Sequence, residues 1–340
     1  MQALFLTAPH AFSVIERADP TPGAGDAILR IHRAGICATD ITTIKGESPV
    51  AIFPMTPGHE LIATIVKAPA GSKFSQGDWV TIYPTQGCGA CEACRRNEAN
   101  HCPTFRVWGV HRDGGCFAQY MAVPDEQLLA VPPSLRNDSG TLIEPTAVAT
   151  HAMRRSGLRR GERIAIVGAG SIGLLTAQAA KANGASRVVV ADRLPTRKAI
   201  CDALGIDRFI LAGQYLASQL ADDGAPFDVI YDNVGNPATL AASVEALRTR
   251  GRLILMAFPH GQEPLVLPYP KVYRKELDVV VSRNYAREDF EAAIALLAQG
   301  HIDTARMITG LYPLTRFADA YEDLKRSPER HLKILVAPNA

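Results

Sequence analysis

The sequence predicts an α/β protein in which a doubly wound parallel sheet is inserted in a mostly β domain. Three observations carry that expectation: a change of texture part-way along the chain, a series of apolar runs of strand length, and a return to a different pattern near the end. At 340 residues the chain is long for one compact unit and comfortable for two. With 47% hydrophobic and 21% charged residues it can bury an ordinary core.

Residues 1–150 read as short β-rich runs, AILRIHRAG, LIATIVKA and DWVTIYP, broken by Gly, Pro and Asp. That is the pattern of an irregular, partly open β unit. The texture changes after IEPTAVATHAMRRSGLRRGE. Across residues 151–284 the runs RIAIVG, RVVVAD, FDVIYD, RLILMA and DVVVSR alternate with helical segments. Near-continuous apolar runs belong to strands buried on both faces, and their alternation with helices implies a parallel sheet. Residues 285–340 hold an amphipathic helix, EDFEAAIALLAQG, and a last strand, HLKILVAP, read as a return to the first domain.

Several function classes recede on composition. The net charge of +2 is spread along the chain with no long basic run, so neither nucleic acid nor a membrane surface is expected as a partner. The opening MQALFLTAPHAFSVIERADP has no basic n-region and no continuous apolar core, and the longest apolar span is interrupted by glycines. Seven cysteines, an odd number, favour reduced thiols and metal ligands over a disulfide framework. A cytoplasmic protein is expected.

The segment RIAIVGAGSIGLLTAQAAKANG sets Gly168, Gly170 and Gly173 between a strand and a helix. Gly168 allows a tight turn, Gly170 lets backbone approach a pyrophosphate, and Gly173 lets the helix pack on the sheet. The helix start, with Ser171 and Ile172, offers free amides to phosphate. The next strand ends in Asp192, where a carboxylate grips ribose hydroxyls and repels a 2′-phosphate. NAD is therefore expected over NADP, a preference that Arg193 next door would soften, and Arg197 is a further candidate on the adenine-ribose side. Ala257, Phe258 and Ser282, near the ends of later strands, complete the candidate cofactor site.

Cys88, Cys91, Cys94 and Cys102 follow a C-x₂-C-x₂-C-x₇-C spacing. Four thiolates satisfy tetrahedral Zn²⁺ and leave no open position, so such a site holds a loop and binds no substrate. Arg95 and Arg96 are placed to offset its charge. An iron–sulfur cluster and a redox pair are the alternatives. The other chemistry-capable residues are scattered: Cys37 and Asp40 in AGICATD, His59 and Glu60 in TPGHELIA, and Glu144 in LIEPTAVATHA. Singly each has a plain structural explanation. Together Cys37, His59 and Glu144 would give Zn²⁺ three ligands and a free fourth position.

Cys37, the GHE at Gly58 to Glu60, the four-cysteine loop and the GAGSIG fingerprint, in this order, resemble the zinc-dependent medium-chain alcohol dehydrogenase family across essentially the whole chain. The resemblance implies a GroES-like catalytic domain, a Rossmann domain, one catalytic and one structural zinc per chain, and NAD(P)-dependent oxidation of an alcohol. It implies that Thr39 takes the alcohol proton, that Asp40 orients His59, and that Glu60 exchanges onto zinc during turnover. It also implies a homo-oligomer, dimer or tetramer, joined through edge strands. One departure stands out: Thr42 occupies the place where many relatives carry a relay histidine, leaving water or a group such as His111 to carry the proton out.

Glu144 in IEP and Arg283 in VVSRN are similar to the sorbitol, threonine and sugar-acid branch, and WGVHRDGG looks most like its bacterial L-galactonate 5-dehydrogenase type. The expected substrate is a polyol or sugar acid, with Arg283, Arg112 and His111 as candidate contacts, since a guanidinium pairs bidentately with carboxylate. Trp108 and Phe53 are candidate pocket walls; His151, Cys116 and Cys201 are expected in the core. A threonine-like amino-alcohol dehydrogenase is the alternative within the class. A regulatory protein that binds NAD and zinc without turnover is the alternative outside it.

Overall fold

The computed structural model describes residues 1–257 and 265–340. The chain forms two units: Met1–Glu144, Ala286–Ala298 and Thr304–Ala340 make the first, and Pro145–Tyr285 with Gln299–Asp303 the second. The expected α/β class with a parallel sheet and a β-rich companion is what the structure contains.

The first unit is built on a mixed sheet whose central strand is Asp26–Gly35. Glu60–Lys67 pairs with it antiparallel on one side, followed by Trp79–Ile82 and Leu128–Ala130. On the other side Lys333–Ala337 pairs antiparallel near Gly35, and Tyr120–Pro124 pairs further back. Alternate residues of the central strand, Ala27, Leu29 and Ile31, point into a core with Leu61, Ala63, Val80, Phe117 and Val336. Each of the larger side chains contributes about 1.5–3 kcal/mol by leaving water. The helix Arg287–Ala298 is tied back to the sheet by Arg287, which donates to the carbonyls of Glu126 and Leu128 at 2.6 and 2.8 Å.

The second unit is a six-stranded parallel sheet in the order Arg208–Leu211, Arg187–Asp192, Arg163–Val167, Phe227–Asp232, Leu247–Leu255, Asp278–Val281. All five apolar runs read from the sequence are strands here. The edge strand Arg208–Leu211 was not among them: it is four residues long with one buried side chain, too short for a periodic signal. Strand order reverses at Arg163–Val167, which makes its carboxyl end a topological switch point. At the opposite end Asp223 gathers the guanidiniums of Arg163, Arg187 and Arg208 at 2.7–3.1 Å, closing three strand starts around one buried carboxylate. Among the described residues, no helix is long and apolar enough to cross a membrane.

Candidate active site

The glycine loop has the shape a dinucleotide needs. Gly168 has φ of +101°, a left-handed conformation that only glycine adopts freely. A Cβ on Gly173 would lie 1.8 Å from the Gly168 carbonyl oxygen, so the helix Ser171–Ala182 sits directly on the turn. A Cβ on Gly170 would meet nothing within 4 Å, leaving an open approach to the helix start. Asp192 braces this cradle: its Oδ2 accepts from the Ala169 amide at 2.6 Å and its Oδ1 from the Leu194 amide at 2.8 Å. Arg193 is exposed, and Arg197 is buried at the start of the helix Arg197–Ala203.

Sequence reading missed part of this crevice. Asn233 and Val234, just past the central strand Phe227–Asp232, face Gly168 closely enough that a Cβ there would stand 3.3 Å from each. Gly235 abuts Ala257 in the same way, at 2.9 Å. Only their place at the carboxyl ends of neighbouring strands signals a role. Ser282 donates its amide to Leu255, while its buried hydroxyl has no hydrogen-bond partner among the described residues. Arg283 follows it. Phe258 lies outside the described residues.

In the first unit two groups of side chains could hold a metal. The ligand atoms of Cys88, Cys91, Cys94 and Cys102 all lie within 4.8 Å of one another. The Sγ atoms of Cys88 and Cys94 are 4.0 Å apart, close to the roughly 3.8 Å edge of a tetrahedron with zinc–sulfur bonds of about 2.3 Å. Backbone amides of Cys88, Cys91 and Cys94 point at sulfurs at 3.3–3.5 Å, which stabilises thiolate charge. The Thr104 hydroxyl and the Cys88 amide lower the Cys102 thiol to about 6. A four-iron cluster would spread its ligands wider, so these sulfurs suit zinc. Arg96 pairs with Glu92 and Glu98.

The second group comprises Cys37, His59 and Glu60, again with ligand atoms within 4.8 Å of one another. Strand register creates it. Gly35 pairs with Glu60, so the chain just beyond Gly35 and just before Glu60 emerges side by side. Cys37 caps the helix Ala38–Ile44, and the Asp40 carboxylate accepts the Cys37 amide at 2.8 Å. The other Asp40 oxygen faces His59 Nδ1 at 3.8 Å; both atoms are buried and lack a hydrogen bond among the described residues. Glu144, buried in the first turn of the helix Ile143–Ser156, is near enough for its charge to act on His59.

This cluster draws protons. Burial pushes the Asp40 carboxyl up to about 6, against the opposing charge of His59. Burial alone would lower His59, but the hydrogen bond and charge of Cys37, with the charges of Asp40 and Glu144, raise it well above 6.5. A bound dication takes the place of those protons, so a thiol, an imidazole and carboxylates in one buried site fit zinc. The carboxylate in the close triplet is Glu60; Glu144 is the fourth group around it.

The remaining candidates fall as follows. Thr39 is half-buried on the helix after Cys37, and its carbonyl accepts the Thr42 hydroxyl at 2.9 Å. His111 Nδ1 accepts the Val107 amide at 3.1 Å, and its ring meets Phe105 edge-on. Arg112 is stacked over Trp108, 3.6 Å from the ring centroid, and donates to Gln86 at 2.7 Å. It lines a cavity of about 550 Å³ with Arg17, Thr56 and Asp113 that includes none of Cys37, His59, Glu60 or Glu144. Trp108 is buried and donates its indole N–H to Gln127. Sequence reading also missed Lys333, whose buried ammonium binds both oxygens of Glu60 at 2.7 Å. A lone lysine inside the apolar run HLKILVAP was the available signal.

Residues 23–133 match the alcohol dehydrogenase GroES-like domain, and residues 171–299 match the zinc-binding dehydrogenase domain. The chain is 33% identical to L-galactonate-5-dehydrogenase of Escherichia coli K12, over 95% of this chain and 94% of that protein. It is 31% identical to sorbitol dehydrogenase of Bacillus subtilis, over 92% of this chain and 90% of that protein. Among solved structures it is similar to RspB of E. coli CFT073 in complex with NADH, with a TM-score of 0.93 and 29% identity over 99% of both chains.

Proposed function

This chain belongs to the zinc-dependent medium-chain alcohol dehydrogenase family, and on that premise we propose that it oxidises a secondary hydroxyl of an L-galactonate-like sugar acid or a polyol with NAD. The observation that carries the proposal is the Cys37–His59–carboxylate cluster, with its imidazole and carboxylate buried and its thiol half-buried, whose three ligands would leave a four-coordinate zinc one position for substrate. Zinc, when bound, supplies Lewis acidity toward a hydroxyl oxygen, and the nicotinamide supplies the hydride acceptor. Cys37, His59 and a carboxylate from Glu144 or Glu60 would hold the metal. Asp40 would fix the His59 ring by facing its Nδ1.

Thr39 would receive the substrate proton. Thr42, tied to the Thr39 carbonyl, lacks a group that buffers near neutral pH, so water is the carrier we assign to the exit. Gly168, Gly170 and Gly173 would seat the pyrophosphate, and Asp192 the adenosine ribose, which favours NAD. Arg283 is the guanidinium we assign to a substrate carboxylate; Arg112 is already committed to Trp108 and Gln86. The seven free cysteines suit a reducing compartment, the cytoplasm. Exposed Val279 and Val281 on the edge strand Asp278–Val281 suit pairing of a second copy.

The test is NADH formation on a panel that pairs each sugar acid with its uncharged polyol and includes threonine. A guanidinium contact to a carboxylate predicts acids ahead by about 10- to 100-fold in kcat/KM. Equal rates on polyols would remove Arg283 from acid recognition, and threonine ahead of both would move the substrate to amino alcohols. NAD binding without turnover on any alcohol would leave a non-catalytic binding protein.

A further inference from the structure

Glu60 is confined on two sides, by the Lys333 ammonium and by the Gly35 backbone. Lys333 opens the strand Lys333–Ala337, and its ammonium sits 2.7 Å from both Glu60 oxygens and 3.1 Å from the Ile36 carbonyl. Both side chains are buried, at 4% and 1% exposure, so water does not screen the pair. On the remaining side, a Cβ on Gly35 would lie 2.1 Å from Glu60 Oε2, so the carboxylate occupies the space a side chain would need. The same carboxylate has an oxygen within 4.8 Å of the Cys37 and His59 ligand atoms. Glu60 is thus close to a metal position while gripped by a cation.

Resting on the zinc dehydrogenase reading, we infer that Lys333 is a positioning residue whose ammonium holds Glu60 back as a releasable ligand, keeping the fourth metal position open for substrate. Charge favours the arrangement. A dication facing one thiolate and the two carboxylates Glu60 and Glu144 leaves one negative charge in excess, Asp40 beside His59 adds another, and the Lys333 ammonium offsets part of that excess at Glu60. Without the ammonium, the nearest cation to a buried Glu60 carboxylate is the metal itself, and the carboxylate closes the site.

Cobalt-substituted enzyme reports this directly, because its visible bands depend on the number and type of ligands. The full chain is loaded with Co²⁺ in the Cys37 site, and Lys333→Met, Lys333→Arg and the double variant Lys333→Met/Glu60→Gln are compared with it. Lys333→Met is expected to shift the cobalt bands, slow metal release to a chelator, and lower kcat about 10- to 100-fold, the range for groups that orient metal ligands. Lys333→Arg keeps the charge and the unshifted spectrum. The double variant leaves no buried charge unpaired, so it folds even where Lys333→Met does not. It is expected to return the spectrum and the release rate to those of the parent.

Unshifted bands in Lys333→Met, or a double variant whose spectrum departs from the parent, would overturn the inference while the dehydrogenase reading stands. A parent protein that takes up metal at the four cysteines alone would overturn both.

Discussion

Cys88, Cys91, Cys94 and Cys102 come from one short loop that is partly exposed, whereas Cys37, the adjacent pair His59 and Glu60, and Glu144 come from three separate parts of the chain, and the last three residues are buried. The first set is uniform in chemistry, and loop amides supply its stabilisation. The second mixes a thiol, an imidazole and carboxylates, and it needs a buried lysine and a capping aspartate to manage its charge. Short spacings gather identical donors at little entropic cost, and four thiolates close the metal off. A site that must keep a place for substrate takes its ligands from sheet register instead, which makes it dependent on the folded unit.

That contrast can be broken by substitutions at each cluster. The largest effect is expected for Cys37→Ser: about a thousandfold loss of kcat, the equivalent of several kcal/mol of transition-state stabilisation, with one zinc lost and one retained by metal analysis. Retention of both zincs would remove Cys37 from the ligand set. Next comes Asp40→Asn, which keeps an acceptor for the Cys37 amide but loses the charge facing His59. It should weaken zinc binding in that site by about 10- to 100-fold in a chelator competition, leaving the four-cysteine zinc untouched.

Smallest in its effect on turnover is Cys88→Ala. It should lower the melting temperature by about 10 °C while the folded fraction keeps the parent's kcat. A fall in kcat as deep as that of Cys37→Ser would mean that the loop shapes the reaction and does more than hold structure.

The two clusters were unequally legible for the same physical reason. The spacing of the four cysteines stated a metal site before any fold was known, as did the glycine loop with Asp192 one strand later. Cys37, His59 and Glu144 were named singly, but nothing in their spacing said that they meet. The short strand Arg208–Leu211 passed unread because four residues carry too little periodicity. Lys333 passed unread because its partner lies on the far side of the central strand, at a residue that pairs with Gly35. Cys116 and Cys201, expected in the core, are there; burial pushes the Cys201 thiol up to about 12.

By itself the sequence determined what is encoded locally: the alternation of strands and helices, the dinucleotide turn, and the loop of four thiols. These follow from side-chain period, backbone freedom at glycine, and ligand spacing over a few residues. Only the tertiary structure decided that Glu60 stands in a close triplet with Cys37 and His59, that Lys333 pairs with it, and that Arg112 stacks on Trp108 and donates to Gln86. Those outcomes depend on strand register, where a shift of one residue turns every side chain to the opposite face, and register is settled by the whole sheet at once.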